Sequence, residues 1–288
     1  MKICFLVSGG LGINILKHFH KLLSIQFVMT DKSSQEIIDF CNLVELPLFV
    51  GNPRVGKARL FLKNKSCDLM VSVNYLFLID KEIISTAKNL AFNIHGSLLP
   101  KYRGRTPHVW SIINNEKFTG ITAHIIDEGC DTGDIIRQVT TPILECDTGS
   151  SIVDKYKELY KQLIHEVLEM YSSNSIVLRK QDNTKATYFG KRTPDDGLID
   201  WSWQRERIYN WVRAQSSPYP GAYSFYLNNK VIIDWIELDD YGFDYSIPNG
   251  TIVTNSPIRV KTPNGLVRIT ELRNPINNII VNDKFVDI

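Results

Sequence analysis

The sequence predicts an α/β fold with a doubly wound, mostly parallel sheet, followed by a smaller β-rich domain. In the first half, short apolar runs alternate with helical segments, a pattern typical of repeated βαβ units. A long helix is predicted at 150–172, where apolar side chains recur at three- and four-residue steps. Beyond about residue 190, short alternating runs separated by turn residues predict a small, OB-like β-barrel or sandwich. We therefore expect one domain over 1–190 and another over 191–288.

The individual elements follow from apolar runs bounded by Gly, Pro, Asn and Asp. In the first domain we expect strands at 2–7, 26–30, 47–50, 69–73, 91–94, 121–126 and 134–141, and helices at 12–23, 34–42, 57–64, 106–115 and 150–172. In the second domain we expect a helix at 206–214 and strands at 222–227, 231–238, 250–254, 258–261 and 266–272.

Composition limits the class of protein. Of the 288 residues, 43% are hydrophobic and 22% are charged, which is typical of a globular protein. The net charge of +2 is too small to attract a polyanion strongly. No run of about 18 apolar residues predicts a membrane span, and the apolar start is too short for a signal peptide. The five cysteines form no C-x-x-C pair, which favours reduced thiols in a cytoplasm and argues against a zinc site.

The segment that follows the strand at 91–94 carries the strongest candidate for catalysis. Asn93 and His95 lie two residues apart, so in a strand they share a face at its carboxyl end, where open α/β sheets bind ligands. An amide donor beside an imidazole can stabilise an oxyanion and move a proton. The same pair would also occur as ordinary hydrogen bonding at a strand end, so the pattern alone leaves both readings open.

Two further loops are candidates. Ser8–Gly12 is a glycine-rich strand-to-helix turn that could offer backbone N–H groups to a phosphate, although its spacing departs from G-x-G-x-x-G and a plain tight turn remains the alternative. In the loop 127–133, Asp131 is either a functional carboxylate or the start of an Asx turn. We expect His124, in the strand before this loop, to be structural.

Three spaced elements together show a family resemblance: Asn93-Ile94-His95-Gly96-Ser97-Leu98-Leu99-Pro100-Lys101-Tyr102-Arg103-Gly104, then Gly120-Ile121-Thr122, then Asp131-Thr132-Gly133-Asp134. They resemble the N10-formyltetrahydrofolate-dependent formyltransferases, most closely the nucleotide-sugar N-formyltransferases. A second block is similar to the carboxyl-terminal half of these proteins and comprises Arg192–Asp196, Trp201, Tyr209–Ala214 and Pro218–Ala222.

The resemblance implies a Rossmann-like formyltransferase core and specific roles. Asn93, His95 and Asp131 correspond to the catalytic triad of the family. The formyl donor would be N10-formyltetrahydrofolate, with no metal, and the cis bond before the family's Ser-Leu-Leu-Pro proline suggests the same at Leu99-Pro100. The pterin pocket of the family corresponds to two segments here, and its candidate residues are Asn74, Tyr75, Leu76, Phe77, Leu78, Ile125, Asp127 and Glu128.

The acceptor amine is predicted to belong to a dTDP- or UDP-linked amino deoxy sugar used for surface polysaccharide such as lipopolysaccharide O-antigen. The alternative is methionyl-tRNA formyltransferase, but residues 205–288 hold nine basic and nine acidic side chains, and the loop 30–34 is short. We therefore expect neither a nucleic acid partner nor a membrane contact, and the family resemblance suggests a homodimer. The candidate substrate-binding residues are Ser8, Gly9, Gly10, Lys101, Arg103, Arg105, Tyr188, Lys191 and Arg192. The alternatives are a plain tight turn for the first three, solvated surface charge for the basic residues, and a core or rim position for Tyr188, whose ring could stack on a base.

Overall fold

A computed structural model describes residues 1–276 and 278–286 of the chain. Up to residue 113 its elements are β1 (Lys2–Val7), α1 (Gly9–His20), β2 (Ser24–Thr30), α2 (Gln35–Leu43), β3 (Leu48–Val50), α3 (Arg59–Leu62), β4 (Cys67–Val73), α4 (Lys81–Ile84), β5 (Ala87–His95), β6 (Arg103–Gly104) and α5 (Pro107–Ile113). The remaining ones are β7 (Phe118–Ile125), β8 (Ile135–Pro142), α6 (Gly149–Ser172), β9 (Tyr188–Phe189), α7 (Arg205–Gln215), β10 (Ala222–Tyr226), β11 (Asn229–Asp239), β12 (Ile252–Asn255), β13 (Ile258–Thr262) and β14 (Gly265–Leu272).

The chain divides into two compact units. The first contains 1–104, 119–141 and 153–189; the second contains 105–118, 142–152 and 190–288. The second unit thus includes two segments from the first half of the sequence, a feature that the predicted boundary at 190 did not contain. The physical reason is α5, whose Ile113 packs against the apolar core that α7 and the C-terminal strands form.

The first unit is built on a seven-stranded sheet in the order β3-β2-β1-β4-β5-β7-β8. The strands β1 to β5 pair in parallel, and β7 runs antiparallel to β5. The interior strands are buried almost throughout, as expected for a parallel sheet covered on both faces. Strand order changes direction at β1 and β4, so their carboxyl ends form the crevice where such sheets bind ligands. This architecture confirms the predicted doubly wound core.

The second unit contains a five-stranded antiparallel sheet in the order β10-β11-β14-β13-β12. The C-terminal segment bridges both of its edges, because Val286 pairs with Phe225 of β10 and Lys284 pairs with Thr251 just before β12. Between these two bridges, Phe285 is buried and stacks on Trp201 in the core. The smaller β-rich domain that the sequence predicts is therefore present.

Two helix boundaries in the first unit differ from the predicted ones. The first helix begins at Gly9, so the glycine-rich segment forms the first turn of α1 instead of a loop before it. The helix predicted at 57–64 has a single turn, Arg59–Leu62. The Leu99-Pro100 peptide is cis, as the family resemblance suggested. Within the described ranges, no helix combines the length and apolar character that a membrane crossing requires.

Candidate active site

The carboxyl end of β5 carries Asn93 and His95, with His95 buried and Asn93 half-buried. The strand β7 runs antiparallel beside it, and this register sets His124 opposite Asn93 and Thr122 opposite His95. Side chains at opposed positions project from the same face of a sheet. Asn93, His95 and His124 consequently form one polar cluster on this face of the sheet.

Asp131 enters this cluster from the loop between β7 and β8. Its Oδ2 lies 3.5 Å from Nδ1 of His95 and its Oδ1 lies 3.5 Å from Nε2 of His124. The backbone N–H of Gly104 donates to Oδ2 at 2.9 Å. The three side chains proposed for catalysis from the sequence are therefore adjacent in space, although Asn93 and His95 come from β5 and Asp131 comes from a loop that is distant along the chain.

The hydrogen bonds of His95 define which ring nitrogen can exchange a proton. Nε2 lies 2.7 Å from the carbonyl oxygen of Tyr102, and since a carbonyl oxygen only accepts, Nε2 carries a hydrogen. Nδ1, which faces Asp131, is left as the basic atom of the neutral ring. Burial lowers the pKa of His95 below its ordinary value of 6.5, while the Asp131 carboxylate partly opposes this shift. The free site thus holds a neutral imidazole near pH 7.

Asp131 is an ionised carboxylate in this environment. Burial opposes its charge, but His95, His124 and the Gly104 N–H hold the pKa of Asp131 well below its ordinary value of 3.8. The loop also has a tight geometry, because Asp131 has φ of 56° and a Cβ on Gly133 would lie 2.0 Å from the carbonyl oxygen of Ile125. The carboxylate is consequently charged and aimed at the two imidazoles.

His124 is the member of this cluster that sequence reasoning missed. Nδ1 of His124 lies 2.8 Å from the Ile125 carbonyl oxygen, so Nδ1 donates and Nε2 of the neutral ring accepts. That Nε2 lies 3.1 Å from Nδ2 of Asn93, which fixes the amide with its N–H₂ group toward the imidazole. The sequence indicates only that Thr122 and His124, two residues apart in a strand, share one face of it. It does not show which strand pairs beside them.

The glycine-rich turn lies at the carboxyl end of β1. The N–H of Gly9 donates to the hydroxyl of Ser34 at 2.9 Å, and Nδ2 of Asn74 donates to the carbonyl of Ser8 at 3.0 Å. A Cβ on Gly10 would meet no atom within 4 Å, so this residue borders open space. Behind the turn, Asp31 is buried; burial opposes its ionisation, but hydrogen bonds from serines lower its pKa to about 2. An anion at this turn would therefore meet a nearby carboxylate.

Residues 74–78 follow β4, the strand that pairs with β5 in parallel. The rings of Tyr75 and Phe77 pack edge to face, and the hydroxyl of Tyr75 is buried without a hydrogen-bond partner. Leu76 and Phe77 are half-buried, and Leu78 is half-exposed. These partly exposed apolar side chains, with a buried hydroxyl beside them, are suited to the flat faces and polar edge of a pterin.

The other predicted pterin segment follows β7. Tyr75 of the first segment and Ile126 of this one both pack against the same apolar cluster. Asp127 accepts from the N–H of Gly129 and from the hydroxyl of Thr132, which closes the loop on itself. Glu128 is exposed and forms an ion pair with a lysine, and Ile125 is half-buried at the end of β7. These contacts favour a loop-shaping role for Asp127.

The basic residues near the cluster differ in what they contact. Lys101 and Arg105 are exposed, whereas Arg103 is 1% exposed. The Arg103 guanidinium donates to Oε1 of Gln181, at 2.7 Å from Nη2, and lies over the ring of Tyr188. This arrangement favours a structural role for Arg103, and it covers one face of the ring of Tyr188, a candidate substrate-binding residue.

In the second unit, Lys191 is exposed and Arg192 is half-buried. The Arg192 guanidinium lies between the rings of Trp110 and Trp211, with its carbon 4.9 and 4.5 Å from the two centroids. It also donates to the carbonyl of Asp196 at 2.6 Å. These contacts favour a packing role for Arg192 over the predicted contact with a substrate.

Comparison with known proteins divides the chain into two matched regions. Residues 57–168 match the formyl transferase family, and residues 191–286 match the formyl transferase C-terminal domain. The first match contains Asn93, His95, His124 and Asp131, and the second contains the strands of the smaller β-rich domain.

Solved structures share the fold over nearly the whole chain. The sugar 3N-formyltransferase WlaRD, crystallised in the presence of dTDP and 5-N-formyl-THF, has 23% identity and a TM-score of 0.73, with 96% of this chain and 99% of that chain covered. An N-formyltransferase from Helicobacter canadensis, in complex with folinic acid and dTDP-3-aminofucose, has 21% identity and a TM-score of 0.74, covering 94% and 99% of the two chains. A 4-N formyltransferase from Francisella tularensis has 21% identity and a TM-score of 0.68, covering 81% and 96%.

Proposed function

We propose that this chain, which belongs to the formyl transferase family, transfers the formyl group of N10-formyltetrahydrofolate to the amine of a nucleotide-linked amino deoxy sugar. The observation that carries the proposal is the convergence of Asn93, His95 and Asp131 within a chain whose two parts both match this family.

The chemistry requires a neutral amine to attack the formyl carbon and form a tetrahedral alkoxide. Nδ2 of Asn93 carries two hydrogens, and since one is directed at His124, the other can donate to the developing oxyanion. Such a donor typically contributes about 3 to 4 kcal/mol to transition-state stabilisation. Asn93 is thus held by its neighbour in the orientation that oxyanion stabilisation needs.

Proton transfer is assigned to Nδ1 of His95. The neutral ring takes the proton that the amine loses as the new C–N bond forms, and the Asp131 carboxylate stabilises the resulting imidazolium. The imidazolium then returns the proton to the folate nitrogen as its bond to the formyl carbon breaks. The products are the N-formyl sugar nucleotide and tetrahydrofolate, so atoms and charge balance without a metal.

The choice of a nucleotide sugar rests on charge and on the solved structures of similar fold. Two of these were crystallised with dTDP or a dTDP-amino sugar together with a formylated folate. The balanced charge of residues 205–288 offers little attraction for tRNA. We propose that the exposed Lys101 of the first unit contributes to binding the pyrophosphate, with the turn at Gly10 as a weaker candidate because of Asp31.

The biological setting is part of the same proposal. We expect a homodimer that acts in the cytoplasm and supplies formylated sugars for a surface polysaccharide such as an O-antigen. Size-exclusion chromatography with light scattering measures the oligomeric state, and a monomeric enzyme with full activity would contradict the dimer.

The function is tested by incubating the purified protein with N10-formyltetrahydrofolate and a panel of dTDP- and UDP-linked 3-amino and 4-amino deoxyhexoses, beside charged initiator tRNA. We expect release of tetrahydrofolate and a formylated product with at least one amino sugar. The Asp131→Ala variant serves as the matched negative control. Formylation of tRNA alone would replace our acceptor with the methionyl-tRNA alternative, and transfer to no acceptor would contradict the proposal.

A further inference from the structure

The segment 181–188, which we call the strap, follows α6 in the chain. It contacts two parts of the first unit: the loop that contains Asp131, and the segment around Tyr102 that binds His95. On the Asp131 side, Nε2 of Gln181 donates to the carbonyl oxygens of Asp131 at 2.9 Å and Gly133 at 2.7 Å. Asp131 has φ of 56°, a backbone conformation that persists only where surrounding contacts enforce it. The amide of Gln181 supplies such contacts on both sides of Thr132.

On the His95 side, the strap fixes the peptide group that orients the imidazole. The carbonyl of Tyr102 accepts from Nε2 of His95, while the N–H of the same peptide group, on Arg103, donates to the carbonyl of Thr187 at 2.8 Å. The N–H of Tyr102 donates to Oγ1 of Thr187 at 2.8 Å. Because Tyr102 also has a positive φ, of 62°, its peptide planes depend on these partners.

Arg103 connects the two halves of this arrangement. Its guanidinium donates to Oε1 of Gln181 from Nη2 and Nε, at 2.7 and 3.2 Å, and to Oδ1 of Asn183 at 2.9 Å. Since Oε1 of Gln181 accepts from Arg103, its Nε2 must face the carbonyl of Asp131. The orientation of the Gln181 amide is thereby set by a buried cation and not by solvent.

We propose, on the basis of the formyl transfer proposed above, that Gln181 and Thr187 of the strap are positioning residues that act with Arg103. They hold the Asp131 carboxylate and the His95 imidazole at the separation and angle that proton transfer requires. None of the three needs to touch the substrate. The buried Arg103 thus serves catalysis through Gln181, which accounts for its position inside a motif otherwise associated with the site.

The first test compares Gln181→Met with Gln181→Glu. Methionine removes both hydrogen-bonding functions, whereas glutamate keeps an acceptor for Arg103 but loses the N–H donors to Asp131 and Gly133. We expect kcat to fall about tenfold or more in both variants, with a smaller change in the KM for the amine, because ground-state binding is not the function of these contacts. Gln162→Met is the matched control, since Gln162 is exposed on α6 and donates to Glu166 on the same helix.

A second readout is independent of any acceptor. The Asp131 carboxylate raises the pKa of His95 against the effect of burial, so loosening Asp131 should lower this pKa further. NMR titration of the imidazole C–H resonance measures the shift in the substrate-free protein. If no amine is formylated by the wild type, the proposed function fails, and this titration alone decides the role of the strap.

The Thr187 pair keeps the inference testable if the Gln181 variants do not fold. Thr187→Val removes the acceptor for the Tyr102 N–H, and Thr187→Ser restores it. We expect valine to lower kcat and shift the His95 titration, and serine to return both toward wild type. Folded Gln181→Met or Thr187→Val protein with unchanged kcat and an unchanged His95 titration would overturn the proposal, as would an equal loss in Gln162→Met.

Discussion

Replacing His124 by phenylalanine tests whether this unpredicted imidazole orients Asn93. The ring is almost completely buried, and its Nε2 is the acceptor, at 3.1 Å, for one N–H of Asn93. Phenylalanine fills most of the same volume but leaves that N–H without a partner, which costs about 1 to 3 kcal/mol in a buried site. If this free energy is lost from the stabilisation of the transition state, kcat/KM should decrease about 5- to 150-fold.

The assay is initial-rate kinetics of tetrahydrofolate release, with thermal unfolding to establish that each variant is folded. His124→Gln retains an acceptor near the position of Nε2, so we expect it to recover part of the lost activity. His20→Phe is the matched control because His20 lies on α1, where its ring packs against Phe40 and not against Asn93. A folded His124→Phe enzyme with the kcat/KM of the wild type would refute the orienting role.

Three further predictions follow from the same structure. Asp131→Asn should lower the pKa of His95, because a carboxylate that raises it is lost; an upward or absent shift in an NMR titration would contradict this. Asn93→Ala should remove most turnover while the melting temperature stays near wild type, and rates close to wild type would exclude the oxyanion role. In the second unit, burial lowers the pKa of His108 to about 4, so its contribution to stability is present above pH 6.5 and is lost as the pH falls toward 4. The free energy of unfolding falls by at most about 3 kcal/mol, because the half-buried side chain keeps part of its contact with solvent. Urea unfolding should therefore show a smaller loss of stability between pH 7 and 4 for His108→Phe than for the wild type.

Local sequence patterns predicted the elements well because their causes are local. The alternation of βαβ segments and the apolar stripe of α6 reflect the backbone periods of strands and helices. These periods are set by residues that are close together in the chain. The proximity of Asn93 and His95 follows from the same period of two along β5. Helix ends were less predictable, as Gly9 shows, because glycine serves equally in a turn or in the first turn of a helix.

Charged residues were the least predictable part of the site. Arg103 and Arg192 were expected at the substrate on the strength of charge alone, yet one guanidinium is buried against Gln181 and the other lies between two tryptophans. Sequence shows that a cation is present, but its partners come from residues that are distant along the chain. The alternative reading, solvated surface charge, did not describe these two arginines either, because their guanidinium groups pack against residues distant along the chain.

The sequence by itself determined the order of strands and helices, the shared face of Asn93 and His95, and the loop that contains Asp131. Only the tertiary structure decided that β7 sets His124 opposite Asn93 and that Gln181 holds the Asp131 backbone. The physical reason is that periodicity acts between neighbours in the chain, whereas strand register and hydrogen bonds across dozens of residues are fixed only when the whole sheet is assembled.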